Sequence, residues 1–160
     1  MSSIRRYKHE DHDDIMRFLQ GAMAGMGYAF LPDEKDADIR DLASTYLMNR
    51  GDFYVVDIEG RIQGTVGVRR WSDEVAELKR LYVDQASRAK GFGHALCLAA
   101  IHAAKDRGYS QLRLDTTWKS VEAVGLFRKL GFREIDRYND DPFAELFMEK
   151  RLFEAAEPPP

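Results

Sequence analysis

The chain has 160 residues, 44% of them hydrophobic, enough for one well-buried core and too few for two ordinary domains. Its net charge of −3 leaves no excess of Lys and Arg to neutralise a phosphate backbone or an anionic bilayer, so neither nucleic acid nor a membrane is expected as a partner. A single cysteine, Cys97, within an apolar helical run excludes an internal disulfide and any multi-cysteine metal site, and reads as a buried small hydrophobe. The first residues lack the apolar core of a signal peptide, and no stretch approaches the roughly 20 apolar residues that span a bilayer, so a cytoplasmic protein is expected.

Residues 4–7 can form a short strand, and Asp13 and Asp14 precede Ile15, Phe18, Leu19 and Met23, spaced as on one helix face. Gly21, Gly25 and Gly27 weaken the end of that helix. Leu31, Pro32 and Asp33 break the chain before a second helix through Ile39, Leu42, Tyr46 and Leu47. The break reads equally as a substrate-facing loop or as plain connecting chain. Residues 53–58 and 62–71 form a hairpin about Glu59 and Gly60, and residues 75–83 a further strand. A long amphipathic helix starts near Gly91 and ends at Lys105, Arg107 and Gly108. Residues 111–116 are a strand, 121–130 a helix closed by Gly131 and Phe132, and 133–138 and 143–152 the last two strands. This is an α/β (α+β) order in one domain, residues 1–153, followed by a Pro-rich tail, 154–160, expected to fray.

The most informative segment is Arg88-Ala89-Lys90-Gly91-Phe92-Gly93-His94-Ala95, which leads from a strand into a helix. Glycines at 91 and 93 let backbone N–H groups converge, and the first helical turn adds unpaired donors and the positive end of the dipole, which together suit an anion. No Gly-Lys-Ser/Thr follows, so this is not a P-loop, and the third glycine of a dinucleotide fingerprint is missing.

With Glu77-Leu-Lys-Arg-Leu-Tyr-Val83 before it and Ala123-x-x-Leu126-Phe127-x-x-Leu130-Gly131-Phe132 after it, the segment resembles the GNAT N-acetyltransferase superfamily over about residues 4–152. Closer similarity is to a bacterial branch whose acceptors are poorly defined. The resemblance implies a mixed sheet of about six to seven strands flanked by about four helices and splayed between the fourth and fifth strands, just past Val83. It implies acetyl-CoA as acyl donor: amides of residues 88–95 hold its pyrophosphate, Leu81, Tyr82 and Val83 pair with the pantetheine arm, and Leu81 N–H polarises the thioester. Ser120 stands where the family often has an asparagine on that arm, and serine can cap the helix or hydrogen-bond but reaches less far.

A protonated amine cannot attack a thioester, so a carboxylate near the splay is the natural base. Glu77 lies eleven residues before Arg88, as does the glutamate base of the family's histone-acetyltransferase branch, with Glu74 in reserve. Strand alternation also puts Lys79 on the face of Glu77, so a purely structural Glu77–Lys79 pair is the alternative. Phe127 occupies the place of the family's usual tyrosine acid and should pack as core, leaving Tyr138 in the closing strand as substitute or an unassisted release of thiolate. The four histidines have no ligand spacing, and no metal is expected.

The many acids before residue 45, among them Asp11, Asp36 and Asp38, suit either a cationic acceptor or a solvated helix face. Asp115 and Thr116 stand at the end of the strand across the splay and, with Arg80, are candidate acceptor-binding residues, Arg80, Asp115 and Tyr138 being those that could recognise a carboxylate or amine. The expected reaction is direct acetyl transfer to a primary amine of a small molecule, amino acid or peptide. Two alternatives stand beside it: a CoA-binding sensor or partner module without turnover, suggested by Phe127, and a structural domain whose glycines only make a tight turn. An exposed edge strand near residues 143–152 could mediate a homodimer.

Overall fold

Seven strands join in one sheet in a computed structural model that describes residues 2–153. They are β1 (Ser2–Arg6), β2 (Asp52–Ile58), β3 (Arg61–Arg70), β4 (Val75–Val83), β5 (Gln111–Thr116), β6 (Arg133–Ile135) and β7 (Leu146–Arg151). The spatial order is β1-β2-β3-β4-β5-β7-β6, every neighbouring pair being antiparallel except β4 and β5. The helices are α1 (His12–Gly25), α2 (Ala37–Arg40), α3 (Phe92–Asp106) and α4 (Val121–Lys129). The expected frayed tail, residues 154–160, lies outside the described residues.

Both faces of the sheet are covered, as the apolar runs require. On one face α3 packs with Leu96, Cys97, Ala100, Ala103 and Ala104, an i, i+3, i+4 stripe whose small alanines let the helix lie close to Val66, Val68 and Leu112. On the other, Ile15 and Leu19 of α1 meet Ile39, Leu42, Tyr46 and Phe53.

The parallel pairing of β4 with β5 covers only Val75, Ala76 and Glu77 against Gln111, Leu112 and Arg113. The splay therefore opens after Glu77, well before the expected point past Val83. Its cause lies in β4 and β5 following different partners. β5 continues beside β7 as far as Thr116, whereas β4 stays with β3 and is bent by a bulge. Gly67 faces Lys79 and Thr65 faces Tyr82, which leaves Arg80 and Leu81 opposite Val66 alone. Arg80 takes the left-handed conformation, φ 57°, unusual for a non-glycine residue, and its carbonyl accepts a hydrogen bond from Thr65 Oγ1 at 2.7 Å.

Three further boundaries differ from expectation. The second helix is two pieces, α2 and a π-helical turn at Ala43–Leu47, because Asp41 at φ −131°, ψ 78° interrupts the helical path. β6 stops at Ile135, so Tyr138 lies in the segment after it rather than in a strand. β7 begins at Leu146 and sits between β5 and β6, so the outer strands are β1 and β6 and residues 143–152 do not form the sheet edge.

Candidate active site

Beyond β4, the Asp84 carboxylate accepts from Ala86 N–H at 3.1 Å and opens a 3-10 turn, Gln85–Ser87. The chain then passes through Ala89 at φ 62° and Gly91 at φ 84° into α3. Left-handed residues in such a turn can aim neighbouring N–H groups toward one side. Arg88 N–H closes onto Gln85 O at 3.3 Å and the next to close is Ala95 N–H, at 3.0 Å from Gly91 O, which leaves the amides between them unpaired at the helix N-terminus. A side chain added at Gly91 would project into open space, in a backbone conformation that L-residues rarely adopt.

This turn borders a cleft of about 680 Å³ whose other walls are Leu81, Tyr82 and Val83 of β4 and Ser120, Ala123 and Leu126 at α4. Arg88, Ala89, Gly91, Gly93 and His94 line it, whereas Lys90, Phe92 and Ala95 do not; Lys90 is exposed and Phe92 packs against the core. Ser120 makes no side-chain cap to α4, so of its two expected roles the cap is absent and the cleft-lining position remains.

A second cleft of about 550 Å³ adjoins the first along β4 and shares Met26, Leu81, Tyr82, Ser120 and Ala123 with it. Tyr28, Trp71 and Phe143 give it aromatic walls, Phe127 and Leu114 also border it, and Asp115 and Thr116 stand on its β5 side.

Arg80 lines this cleft, but its guanidinium is taken up by carboxylates. Nη2 donates to Asp38 Oδ1 at 2.6 Å and Asp36 Oδ1 at 2.9 Å, and Nε to Asp38 Oδ2 at 3.0 Å. Tyr46 Oη completes the group by donating to Asp38 Oδ2 at 2.5 Å. Burial alone would raise the Asp38 carboxyl; the hydrogen bond and charge of Arg80 and the Tyr46 hydroxyl outweigh it and hold the group below its ordinary value. Asp36 and Asp38 are thus neither a solvated face nor a free site for a cation, and Arg80 is not available to an acceptor carboxylate. Asp11 is likewise committed to Arg5, at 2.8 Å.

Glu77 is fully buried. Its Oε1 accepts from Arg69 Nε at 2.9 Å and its Oε2 from Tyr138 Oη at 2.7 Å. The expected Glu77–Lys79 pair does not form, because antiparallel register sets Arg69 directly across from Glu77. Neither Glu77 nor Tyr138 lines either cleft. Burial, then the charge of Glu77 and the hydrogen bond to it, raise the Tyr138 hydroxyl far above its ordinary value. It remains protonated, donating to Glu77, and lies outside the lining of both clefts. Phe127 is buried, its ring centroid 5.6 Å from that of Phe132.

Asp115 remains as a carboxylate on the cleft wall, accepting from Asn139 Nδ2 at 2.7 Å. Asn139 was not anticipated as a site residue; its place in Tyr138-Asn-Asp-Asp-Pro142, a turn-rich run after a strand, was the available signal. Thr117, next to Thr116 at the end of β5, lines the cleft and carries a buried hydroxyl without a hydrogen-bond partner. Cys97 lies in the core, where burial pushes its thiol up to about 12 and keeps it unreactive. Among the described residues no three His, Cys, Asp or Glu side chains are grouped to hold a metal, and no helix is long and apolar enough to cross a membrane.

The acetyltransferase (GNAT) family matches residues 9–132. Human N-acetyltransferase 8B is 35% identical over 103 residues, 61% of this chain and 45% of that protein. The uncharacterized N-acetyltransferase YjgM of Escherichia coli (strain K12) is 29% identical over 142 residues, 83% of each chain. N-acetylaspartate synthetase of Xenopus tropicalis is 34% identical over 100 residues, 61% of this chain and 37% of that protein. The chain thus spans less than half the length of the human and frog relatives. Among solved structures, a GNAT acetyltransferase from Staphylococcus aureus Mu50 superposes with a TM-score of 0.87 at 21% identity, covering 96% of this chain and all of that one. The acetyltransferase yncA from Salmonella typhimurium, solved with acetyl-CoA, gives 0.74 at 19% identity, covering 99% of this chain and 98% of that one. With the family matching well over half its length and the sheet, splay and Gly91 turn in place, the chain belongs to the GNAT acetyltransferase family.

Proposed function

We propose that the protein is an N-acetyltransferase that moves the acetyl group of acetyl-CoA onto a primary amine by direct attack, both substrates occupying the cleft at once. The carrying observation is that two clefts along β4 meet at Leu81, Tyr82, Ser120 and Ala123, beside the bulge. The first has the features a CoA arm needs: converging amides at a helix start, open space at Gly91, and a length of β4 backbone released from β5 by the splay. The acetyl-CoA complex of yncA, on the same fold, supports this assignment.

When bound, acetyl-CoA supplies a thioester-activated acetyl group. Amides of residues 89–94 would hold the diphosphate, main-chain groups of Leu81, Tyr82 and Val83 would pair with the pantetheine arm, and Leu81 N–H, beside the bulge, would donate to the acetyl carbonyl oxygen. An ammonium must lose a proton before it attacks. Glu77 holds Arg69 and Tyr138 in place beneath the acceptor cleft and is a positioning residue; Asp115, fixed by Asn139, takes the proton directly or through a water. Phe127 carries no proton, so the thiolate leaves without help from that position.

Calorimetry with acetyl-CoA, followed by thiol release against a panel of primary amines, tests the reading. Binding with release is expected. Binding with no release from any amine would favour a donor-binding sensor, and absence of binding would overturn the proposal.

A further inference from the structure

Four cations line the acceptor cleft: Lys35, Arg69, Lys79 and Arg80. Three are matched, Lys35 by Asp36 at 2.8 Å, Arg69 by Glu77 at 2.9 Å, and Arg80 by Asp38 and Asp36 at 2.6 and 2.9 Å. Lys79 has no hydrogen-bond, ion-pair or ring partner among the described residues, although it is half-buried in a wall rich in carboxylates. A cation left unmatched on a cleft wall is open to an anionic group of a ligand.

Its position says which ligand. Lys79 lies two residues beyond Glu77, the last position at which β4 pairs with β5; Asp115 lies two residues beyond Arg113, the partner of Glu77. The two therefore occupy matching places on the two lips of the splay. Asp115 has Asn139 as its hydrogen-bond partner and no cation among the described residues. Lys79 borders the acceptor cleft and not the one at the Gly91 turn, so the phosphates of a CoA arm are not its counter-charge. Asp140 and Asp141 line the same cleft, but Asp140 is exposed and the Asp141 carboxylate accepts from Phe143 N–H at 2.9 Å. Met23, Tyr28, Trp71 and Phe143 give the same cleft its apolar surface.

We infer that the acceptor is a zwitterionic amino carboxylate with an apolar side chain, its carboxylate held by Lys79 and its amine by Asp115. This rests on the N-acetyltransferase reading above and names the acceptor class within it. Lys79 is then the residue that separates amino acids from their amides and from simple amines.

The test compares kcat/KM of the full chain for phenylalanine against phenylalaninamide, leucine against leucinamide, and phenethylamine alone. Wild type, Lys79→Met and Lys79→Arg are measured, with acetyl-CoA affinity by calorimetry as the check that each variant is folded. Wild type should prefer acid to amide by about tenfold or more, as expected for a charge-assisted contact. The preference should fall about tenfold or more in Lys79→Met and return in part in Lys79→Arg, with acetyl-CoA affinity unchanged. The amide's less basic amine biases every variant equally, so the ratio between variants is free of it. An acid-to-amide preference that is the same in Lys79→Met as in wild type overturns the inference. Acetyl-CoA binding without turnover of any of these probes overturns the acceptor class and leaves the acetyltransferase reading standing; no acetyl-CoA binding overturns both.

Discussion

The wall of the cleft that turns at Gly91 is made of main chain, whereas the wall that carries Asp115 and Arg80 is made of side chains held by other side chains. In the first, shape comes from φ angles at Ala89 and Gly91 and from the start of α3, and only a change of backbone disturbs it. In the second, each group depends on another: Arg80 on Asp36 and Asp38, Asp38 on Tyr46, Glu77 on Arg69 and Tyr138, Asp115 on Asn139. A wall of main chain tolerates side-chain variation and binds a constant ligand. A wall of linked side chains can be re-specified, at the risk of the fold.

The largest effect should come from cutting the deepest link. Asp38→Ala leaves Arg80, whose side chain is only 11% exposed, without its main partner, and should lower stability by about 3–5 kcal/mol in urea unfolding. A loss below about 1 kcal/mol would mean that Asp36 alone suffices and that the linked wall is looser than its geometry implies.

Next is the main-chain wall. Gly91→Val puts a β-branched residue at φ 84°, in the backbone turn that lines the donor cleft. Acetyl-CoA affinity should fall at least about a hundredfold, about 2.7 kcal/mol. Backbone strain adds an expected stability cost of about 1–3 kcal/mol. Undiminished affinity by calorimetry would remove the anion-site assignment.

A smaller and more discriminating effect separates the two carboxylates. Asp115→Asn should lower kcat/KM about tenfold to a hundredfold and flatten its rise with pH, while acetyl-CoA affinity stays put. Glu77→Gln should lower thermal stability but keep the shape of the pH profile. The reverse pattern would return the base to Glu77.

The difference between the walls also decides what could be read from sequence. Gly91 and Gly93 announce a turn because glycine is the residue that a positive φ or a close approach calls for, and strand and helix periodicity located all but the shortest elements. The side-chain wall depends on register, which a single strand does not carry. Alternation correctly set Glu77 and Lys79 on one face, but Arg69, its partner, lies on β3 and is found only when the strands are aligned. The same ignorance of pairing moved the splay from Glu77 to Val83 and put the sheet edge at β7 instead of β6. The turning of Arg80 toward α2 could not be read either, because the bulge that re-aims it shows no glycine at its left-handed position.

The mildest effect in the working range of pH is an acid one, and it tests the comparison without asking for activity. Asp11, Asp36 and Asp38 all have carboxyls held below their ordinary value. For Asp11 the cause is chiefly the hydrogen bond from Arg5; for Asp36 and Asp38 burial opposes the shift and their hydrogen bonds and the charge of Arg80 prevail. A depressed carboxyl contributes stability that is complete above its unfolded value, near 4, and is lost as pH falls through the folded one. Stability should therefore be nearly flat from pH 7 to about 5 and decline below about 4. In Asp38→Asn one of these groups no longer titrates, so the acid decline should be shallower than in wild type. Gly91→Val, which touches no ionisable group, should give a curve lower than wild type but parallel to it. Parallel curves for wild type and Asp38→Asn would show that the Arg80 cluster does not hold the acceptor wall by charge; packing around Tyr46 and Met23 would then be what keeps that side of the cleft in shape.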